Sequence, residues 1–411
     1  MNELASTKLQ AFQIRHINFG QKIFGDENSI ENKFPPRLIA LVTFLMLVEI
    51  THFNGIYQKQ TKFLEILISL VIYLVIIQLF AQFFNRIVRH DHIQFLEIHN
   101  LLIKFTKKEE TNQNSRRKLI STLDLGEWSV RLFVILLFIV FNILTVTPIV
   151  ISIIDQNYEL SVLMVPFIES KSLFGYVLNI TLAGISLNIF CAMILLADTV
   201  KLFYIIQTKA MVDIFIYKLT NLGAKLNVLI EEIGNEAGPS NQENRNQNKF
   251  VENLKERRLE KTEIQLIDLM KEYKFYDDYI ETILSFLEFT TFVALSVNSI
   301  GIGLSILYSI FVNFIMGFSA FLILFSQILT PCILGTIVTH QNEKLLKAVC
   351  EFPWYNMSVK SQKIYLQFLH QCQTAAEINL KIIGVVNMEL FTHIMNGSYS
   401  YLNFVMNFMK G

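Results

Sequence analysis

The chain has 411 residues, of which 52% are hydrophobic and only 17% are charged. In soluble domains about a quarter of the residues are charged. This composition therefore excludes an ordinary soluble domain and favours helices surrounded by lipid. The net charge of +0 gives no indication of a nucleic-acid partner.

Seven apolar segments are long enough to cross a bilayer, which requires roughly 20 mainly apolar residues. In chain order they are residues 38–56, 63–84, 132–154, 173–196, 283–308, 311–338 and 382–409. The fifth and sixth form one nearly unbroken apolar run, which we expect to fold back near Tyr308, Ser309 and Ile310. The sequence therefore predicts an all-α membrane protein with seven transmembrane helices.

Positive charge is distributed unevenly among the connecting segments. The N-terminal segment 1–37 and the second, fourth and sixth connections each contain at least five Lys or Arg residues. The other three connections and the C-terminus contain four in total. Because Lys and Arg accumulate on the cytosolic side of a membrane, we predict a cytosolic N-terminus and an extracellular C-terminus. This orientation is the reverse of that of a G-protein-coupled receptor.

The two cytosolic segments 197–282 and 339–381 are predicted to be helical extensions that pack together as an anchor region. In the first, an Asn-rich stretch at 234–248 separates two helical flanks and is expected to be a flexible loop. In the second, apolar residues recur at helical spacing over 358–378. No cysteine lies in a predicted outer connection, so no disulfide framework is expected.

The last apolar segment, within the predicted unit 382–411, carries a continuous polar stripe. Its members are spaced by three or four residues, which aligns them along one side of a helix: Glu389, His393, Asn396, Ser400, Asn403 and Asn407. Polar groups at membrane depth normally face water or a protein interior. The stripe favours a pore-lining helix in which amides line the mouth and Glu389 favours cations. The alternative is that it forms hydrogen bonds between helices of one subunit.

The same segment resembles the C-terminal signature of insect odorant receptors. The resemblance lies in Ile383-Gly384-Val385, Glu389-Leu390-Phe391 and Ser398-Tyr399-Ser400-Tyr401, together with Trp354-Tyr355 before an amphipathic helix. It implies a tetrameric ligand-gated cation channel that assembles with a shared odorant co-receptor. It also implies a location in the plasma membrane, in the dendrites of olfactory sensory neurons, and no cofactor or metal.

The resemblance also suggests which residues line the pore and bind the ligand. It places the pore constriction at Phe404 and a polar pore residue at Asn407, whereas the stripe favours Asn403 over Phe404, so both stay candidates. The chain lacks the long extra stretch expected of the co-receptor, which implies an odour-tuning subunit. A small volatile hydrophobic ligand is implied in the outer half of the membrane. Candidate contacts there are Tyr73, Phe141, Thr145, Phe174, Tyr176, Asn179, Asn298 and Phe314.

Three other classes of protein fit the sequence less well. A G-protein-coupled receptor would carry Asp-Arg-Tyr-like and Asn-Pro-x-x-Tyr motifs, which the sequence lacks. A gustatory receptor shares the seven-span layout, but its usual ending differs from Ser-Tyr-Ser-Tyr. A membrane di-iron enzyme would need several histidine boxes. The chain has a single cluster, interpreted as a hydrated juxtamembrane helix: His90, His92, Glu97 and His99.

Overall fold

The structure is a computed structural model that describes residues 5–12, 91–154, 173–235, 245–311, 314–374, 377–380 and 383–410, with a few isolated positions between 43 and 78. Nearly all of these residues are helical. In the described ranges from residue 91 onward there are seven α-helices: α1 (Asp91–Glu109), α2 (Gln113–Ile154), α3 (Leu173–Asn235), α4 (Arg245–Phe311), α5 (Phe314–Glu351), α6 (Val359–Gln373) and α7 (Met388–Lys410). A short 3-10 helix, Trp354–Asn356, lies between α5 and α6. Between α6 and α7 lies an antiparallel hairpin of β1 (Asn379–Leu380) and β2 (Gly384–Val385).

The two longest helices join predicted spans to predicted cytosolic segments without interruption. Helix α3 has 63 residues and α4 has 67. At about 1.5 Å per residue each reaches about 95 to 100 Å, roughly three times the hydrocarbon thickness of a bilayer. The extensions are therefore continuous with the apolar helices. Because α3 ends at Asn235 and α4 begins at Arg245, residues 234–235 and 245–248 of the predicted loop 234–248 are helical.

Three of the described helical stretches are long and apolar enough to cross a membrane: Gln113–Leu144, Arg257–Phe311 and Gly317–Asn356. The first of them, in α2, exposes large apolar side chains such as Ile135 and Phe138 over much of its length. The predicted spans 38–56 and 63–84 lie almost wholly outside the described residues. The predicted reversal between the fifth and sixth spans falls where α4 ends at Phe311 and α5 begins at Phe314.

The buried hydrophobic core joins the parts of α3 and α4 beyond the apolar spans with α1, α6, the start of α2 and the end of α5. It continues into the predicted fifth and sixth spans within α4 and α5. Aromatic rings form its centre: the centroid of Tyr273 lies 5.9 Å from that of Phe215 and 5.1 Å from that of Phe368. The hydroxyl of Tyr279 donates a hydrogen bond to the carbonyl of Tyr204 at 3.0 Å. Buried polar atoms paired in this way allow aromatic side chains to fill a core without loss of hydrogen bonding.

An ionic cluster ties α1, α3 and α4 together beside this core. The ammonium of Lys218 lies 2.5 Å from Glu109 and 2.8 Å from Glu272, and Lys108 binds Glu272 at 2.6 Å. Burial on its own lowers the pKa of Lys218, but its hydrogen bonds to both carboxylates outweigh that effect and raise it above the usual value. Burial likewise raises the pKa of Glu272, but hydrogen bonds from Lys108 and Lys218 outweigh it and lower the pKa.

The sequence interpretation placed His99 on a hydrated helix surface. In the structure His99 is instead fully buried in α1. Its Nδ1 lies 2.8 Å from the hydroxyl of Tyr204. Burial disfavours the charged ring and lowers the pKa of His99 to about 4. His90 lies outside the described residues, and Glu97 is exposed. Across the part of the chain that the structure describes, no group of three His, Cys, Asp or Glu side chains could hold a metal ion.

Two predicted helix boundaries differ from the observed ones. The predicted helical segment 358–378 ends earlier, at Gln373, and the last helix begins at Met388 rather than at residue 382. Between them lie the two strands of the hairpin, of which β2 starts at Gly384 with φ +98°. A left-handed backbone of this kind is readily adopted by glycine, so the apolar run was interrupted by a turn that hydropathy did not reveal.

Candidate channel helix and ligand site

The start of α7 is fixed against α5 by backbone contacts. The carbonyl oxygen of Val386 approaches Gly335 so closely that no side chain could be accommodated there. The N–H of Met388 donates to the hydroxyl oxygen of Thr336 at 3.0 Å. The side-chain oxygen of Asn387 accepts the N–H of Leu390 at 2.9 Å and caps the helix. The first turn of α7 is therefore held in one position relative to α5.

One side of α7 packs against α4 and α5. The ring of Phe391 meets Phe325 edge to face at 5.4 Å between centroids. Further along, the hydroxyl of Ser398 lies 3.4 Å from the carbonyl oxygen of Ser299. A Cβ at Gly303 would lie only 3.0 Å from the ring of Tyr401, so this glycine lets α4 and α7 approach closely.

The other side of α7 exposes the polar stripe. All six of its members are exposed: Glu389, His393, Asn396, Ser400, Asn403 and Asn407. The side chains of Glu389 and His393 are 78% and 73% exposed, and Nε2 of His393 lies 3.9 Å from Oε1 of Glu389. Phe404 is also exposed, at 70%. No stripe side chain makes a hydrogen bond to another helix among the described residues, so the stripe is not used to join helices within that part of the chain.

The predicted ligand contacts fall into distinct environments. Four are buried: Phe141, Tyr176, Asn179 and Asn298. Phe174 and Phe314 lie at or near the first residues of α3 and α5 and are 71% and 67% exposed. Thr145 lies within α2, and Tyr73 lies outside the described residues. The buried four come from α2, α3 and α4, the helices that the sequence assigns to the third, fourth and fifth spans.

Among the buried candidates, Asn298 carries an amide whose hydrogen bonding is incomplete. Its side chain is completely buried in α4, and neither amide atom has a hydrogen-bond partner among the described residues. Leaving a buried polar group unpaired costs about 1–3 kcal/mol, so such groups in folded proteins usually contact water or a ligand. Asn298 therefore marks a position where a bound molecule could form hydrogen bonds.

Sequence reasoning missed a buried polar chain near the end of α3's apolar part that the sequence assigns to the cytosolic side. Lys201 lies 3.4 Å from Asp198 in α3, and Asp198 accepts a hydrogen bond from the Gln327 amide of α5 at 2.7 Å. The Gln78 amide donates to Gln327 at 3.1 Å. The first three residues line a narrow cavity with Pro331. The available signal was an acid and a base three residues apart just after a predicted span, a pattern typical of buried pairs at membrane depth.

Comparisons with known proteins agree with the sequence resemblance. Residues 62–399 match the family model described as "7tm Odorant receptor". No curated protein sequence matches the chain. The fold is similar to that of the insect olfactory receptor OR5 from Machilis hrabei, with a TM-score of 0.70 and 11% identity over 97% of this chain and 98% of that chain. The structure of that receptor in complex with eugenol has a TM-score of 0.63 and 12% identity, over 97% of each chain.

Proposed function

The chain belongs to the odorant receptor family, a family of membrane receptors rather than enzymes, and on that premise we propose that it is the odour-tuning subunit of a ligand-gated cation channel. In this proposal it crosses the plasma membrane seven times, with the N-terminus in the cytosol. It assembles with an odorant co-receptor as a tetramer in the dendrites of olfactory sensory neurons.

The observation that carries the proposal is the division of α7 into two faces. One face packs on α4 and α5, whereas the polar face of six residues stays exposed in the single chain. Exposing such a face to lipid would be unfavourable, since polar groups in hydrocarbon lack hydrogen-bond partners. Several subunits around an axis would instead turn this face toward a water-filled pore, with Glu389 favouring cations.

The ligand is proposed to be a small volatile hydrophobic molecule bound in the outer half of the membrane. Phe141, Tyr176, Asn179 and Asn298 support a site of this chemistry, since buried aromatic and amide side chains are typical of ligand pockets. The similar receptor from Machilis hrabei was solved with eugenol, which makes eugenol a reasonable first probe. Binding is proposed to move α7 and admit cations.

Whole-cell recording tests this function directly. The chain is expressed alone and with an insect odorant co-receptor, and a panel of volatiles that includes eugenol is applied. We expect a fast inward cation current that requires the co-receptor and persists when G-protein signalling is blocked. Silence toward volatiles despite verified surface expression, with a current evoked by tastants, would contradict the proposal and favour a gustatory-type channel.

A further inference from the structure

We propose that Asn298 is the polar contact of the ligand site and that it selects volatiles carrying a hydrogen-bonding oxygen, such as alcohols, phenols and ketones, over hydrocarbons of the same shape. This inference rests on the proposed function and adds the chemical class of ligand. It follows from the hydrogen bonding of Asn298 and from its position on α4.

Asn142 and Asn188, on the apolar parts of α2 and α3, form side-chain hydrogen bonds within their own helices. The amide of Asn142 donates to the carbonyl of Phe138 at 2.7 Å, and that of Asn188 donates to the carbonyl of Gly184 at 2.7 Å. Each bond reaches back four residues along the same helix, which is the usual local solution for a polar side chain in a helix. Asn298 makes no such bond, although it is completely buried. Its donor and acceptor are therefore available to a molecule that enters the site.

The position of Asn298 also places a bound molecule close to the channel helix. The next residue, Ser299, offers the carbonyl oxygen that lies 3.4 Å from the hydroxyl of Ser398 on α7. Just over one turn later, Gly303 touches the ring of Tyr401. A ligand that forms hydrogen bonds with Asn298 therefore binds to the same segment of α4 that contacts α7. The same segment of α4 would thus take part in ligand recognition and in opening of the channel.

The amide restricts the ligand to a definite chemistry. It can donate from its nitrogen and accept at its oxygen, so a hydroxyl or a carbonyl oxygen can pair with it. A hydrocarbon of equal shape would leave the amide unpaired in an apolar environment. A neutral hydrogen bond changes affinity by roughly 3- to 10-fold, which sets the expected preference for the oxygenated partner.

The test measures selectivity rather than absolute response. The full chain is co-expressed with a co-receptor, and half-maximal concentrations are recorded for matched volatiles such as 2-phenylethanol and propylbenzene. We expect Asn298→Leu to reduce the preference for the oxygenated member roughly 3- to 10-fold, mainly by weakening its response. Asn298→Ser, which keeps a short hydrogen-bonding group, should give an intermediate preference and serves as a second variant if the leucine variant folds poorly. Ser305→Ala is the matched control, because the buried Ser305 hydroxyl on the same helix already bonds to the carbonyl of Ile302 at 2.9 Å.

The outcomes separate the two proposals. If the wild-type channel responds to volatiles but the preference is unchanged in Asn298→Leu and Asn298→Ser, the inference is wrong while the proposed function stands. If the wild-type channel ignores every volatile despite surface expression, the proposed function fails and the inference fails with it. A preference lost in Asn298→Leu and retained in Ser305→Ala supports the inference.

Discussion

The carbonyl oxygen of Val386 lies against the α-carbon of Gly335, in a contact that leaves no room for a side chain. Val386 is completely buried, and its N–H donates to the carbonyl of Ile378 at 2.7 Å, which closes the hairpin before α7. The contact therefore joins three parts of the chain: helix α5, the hairpin and the start of α7. It sets the position from which the polar helix begins.

Replacing Gly335 with alanine should displace the start of α7. The new Cβ would meet a backbone carbonyl, which cannot move without the hairpin, so we expect a loss of about 1–3 kcal/mol in stability. The midpoint of thermal unfolding of the detergent-solubilised protein measures the effect. Gly301→Ala is the matched control: its Cβ would meet only the side chain of Leu324, at 2.9 Å, and a flexible side chain can rotate away. Equal melting temperatures for the two variants would show that the hairpin accommodates the change.

Substitutions on the exposed face of α7 should alter ion permeation. Asn403→Leu and Asn407→Leu each replace a polar group of the stripe with an apolar one, so we expect lower conductance or changed cation selectivity in at least one. Phe404→Ala should increase the ligand-independent current if this ring forms the constriction. Single-channel recording with the co-receptor measures all three. Ser398→Ala, on the face toward α4, should leave selectivity unchanged. Unaltered permeation in both asparagine variants would favour a role for the stripe in hydrogen bonds between helices.

Because of the ionic cluster at Lys218, the stability of the folded protein should decrease at acidic pH. The pKa of Glu272 is lowered in the folded protein, so its contribution is complete above the unfolded value of 4.5 and is lost as the pH falls through the folded value. The pKa of Lys218 is raised above 10.5, so its contribution is lost only as the pH rises beyond that. Melting temperature recorded against pH should therefore fall less steeply below pH 4.5 in Glu272→Gln than in the wild type.

Lys218→Met should lower the free energy of unfolding more than Glu272→Gln does at neutral pH. It leaves the carboxylate of Glu109, which is only 3% exposed, buried without its ammonium partner. We expect a cost of about 3 kcal/mol, the low end for breaking a buried pair, since Lys218 itself is a quarter exposed. Chemical unfolding in detergent measures the difference. A double variant, Lys218→Met with Glu109→Gln, should recover part of the lost stability. If it recovers none, the loss in Lys218→Met is due to altered packing rather than to the unpaired carboxylate.

His99 should destabilise the folded protein as the pH falls below neutrality. Its pKa is about 4 when folded and 6.5 when exposed, so between these values the unfolded chain binds the proton that the folded chain excludes. The difference corresponds to about 3 kcal/mol lost between pH 6.5 and 4. His99→Gln can still bond to Tyr204 but does not titrate, so its melting temperature should fall less over this range. Parallel curves for the two proteins would contradict the buried, neutral state of His99.

The sequence by itself determined the class of protein, the approximate position of most apolar helices and the polar stripe of α7. These properties follow from hydropathy and from the 100° step of a helix, which depend only on residue type and spacing. The extended helices at Leu202–Ile233 and over 250–281 followed from the same periodicity. The stripe from Glu389 to Asn407 is evident from the spacing of its polar residues alone.

Only the tertiary structure decided which faces meet. Periodicity treats His99 as an ordinary polar residue of a surface helix, but its burial depends on the approach of Tyr204 from another helix. The same holds for Gln327, whose partners Asp198 and Gln78 are distant in sequence. The hairpin that delays α7 to Met388 depends on Gly384 and on the contact of Val386 with Gly335. Local sequence specifies a helix and its apolar face, whereas burial and hydrogen-bond pairing are decided by surfaces that meet only in the folded chain.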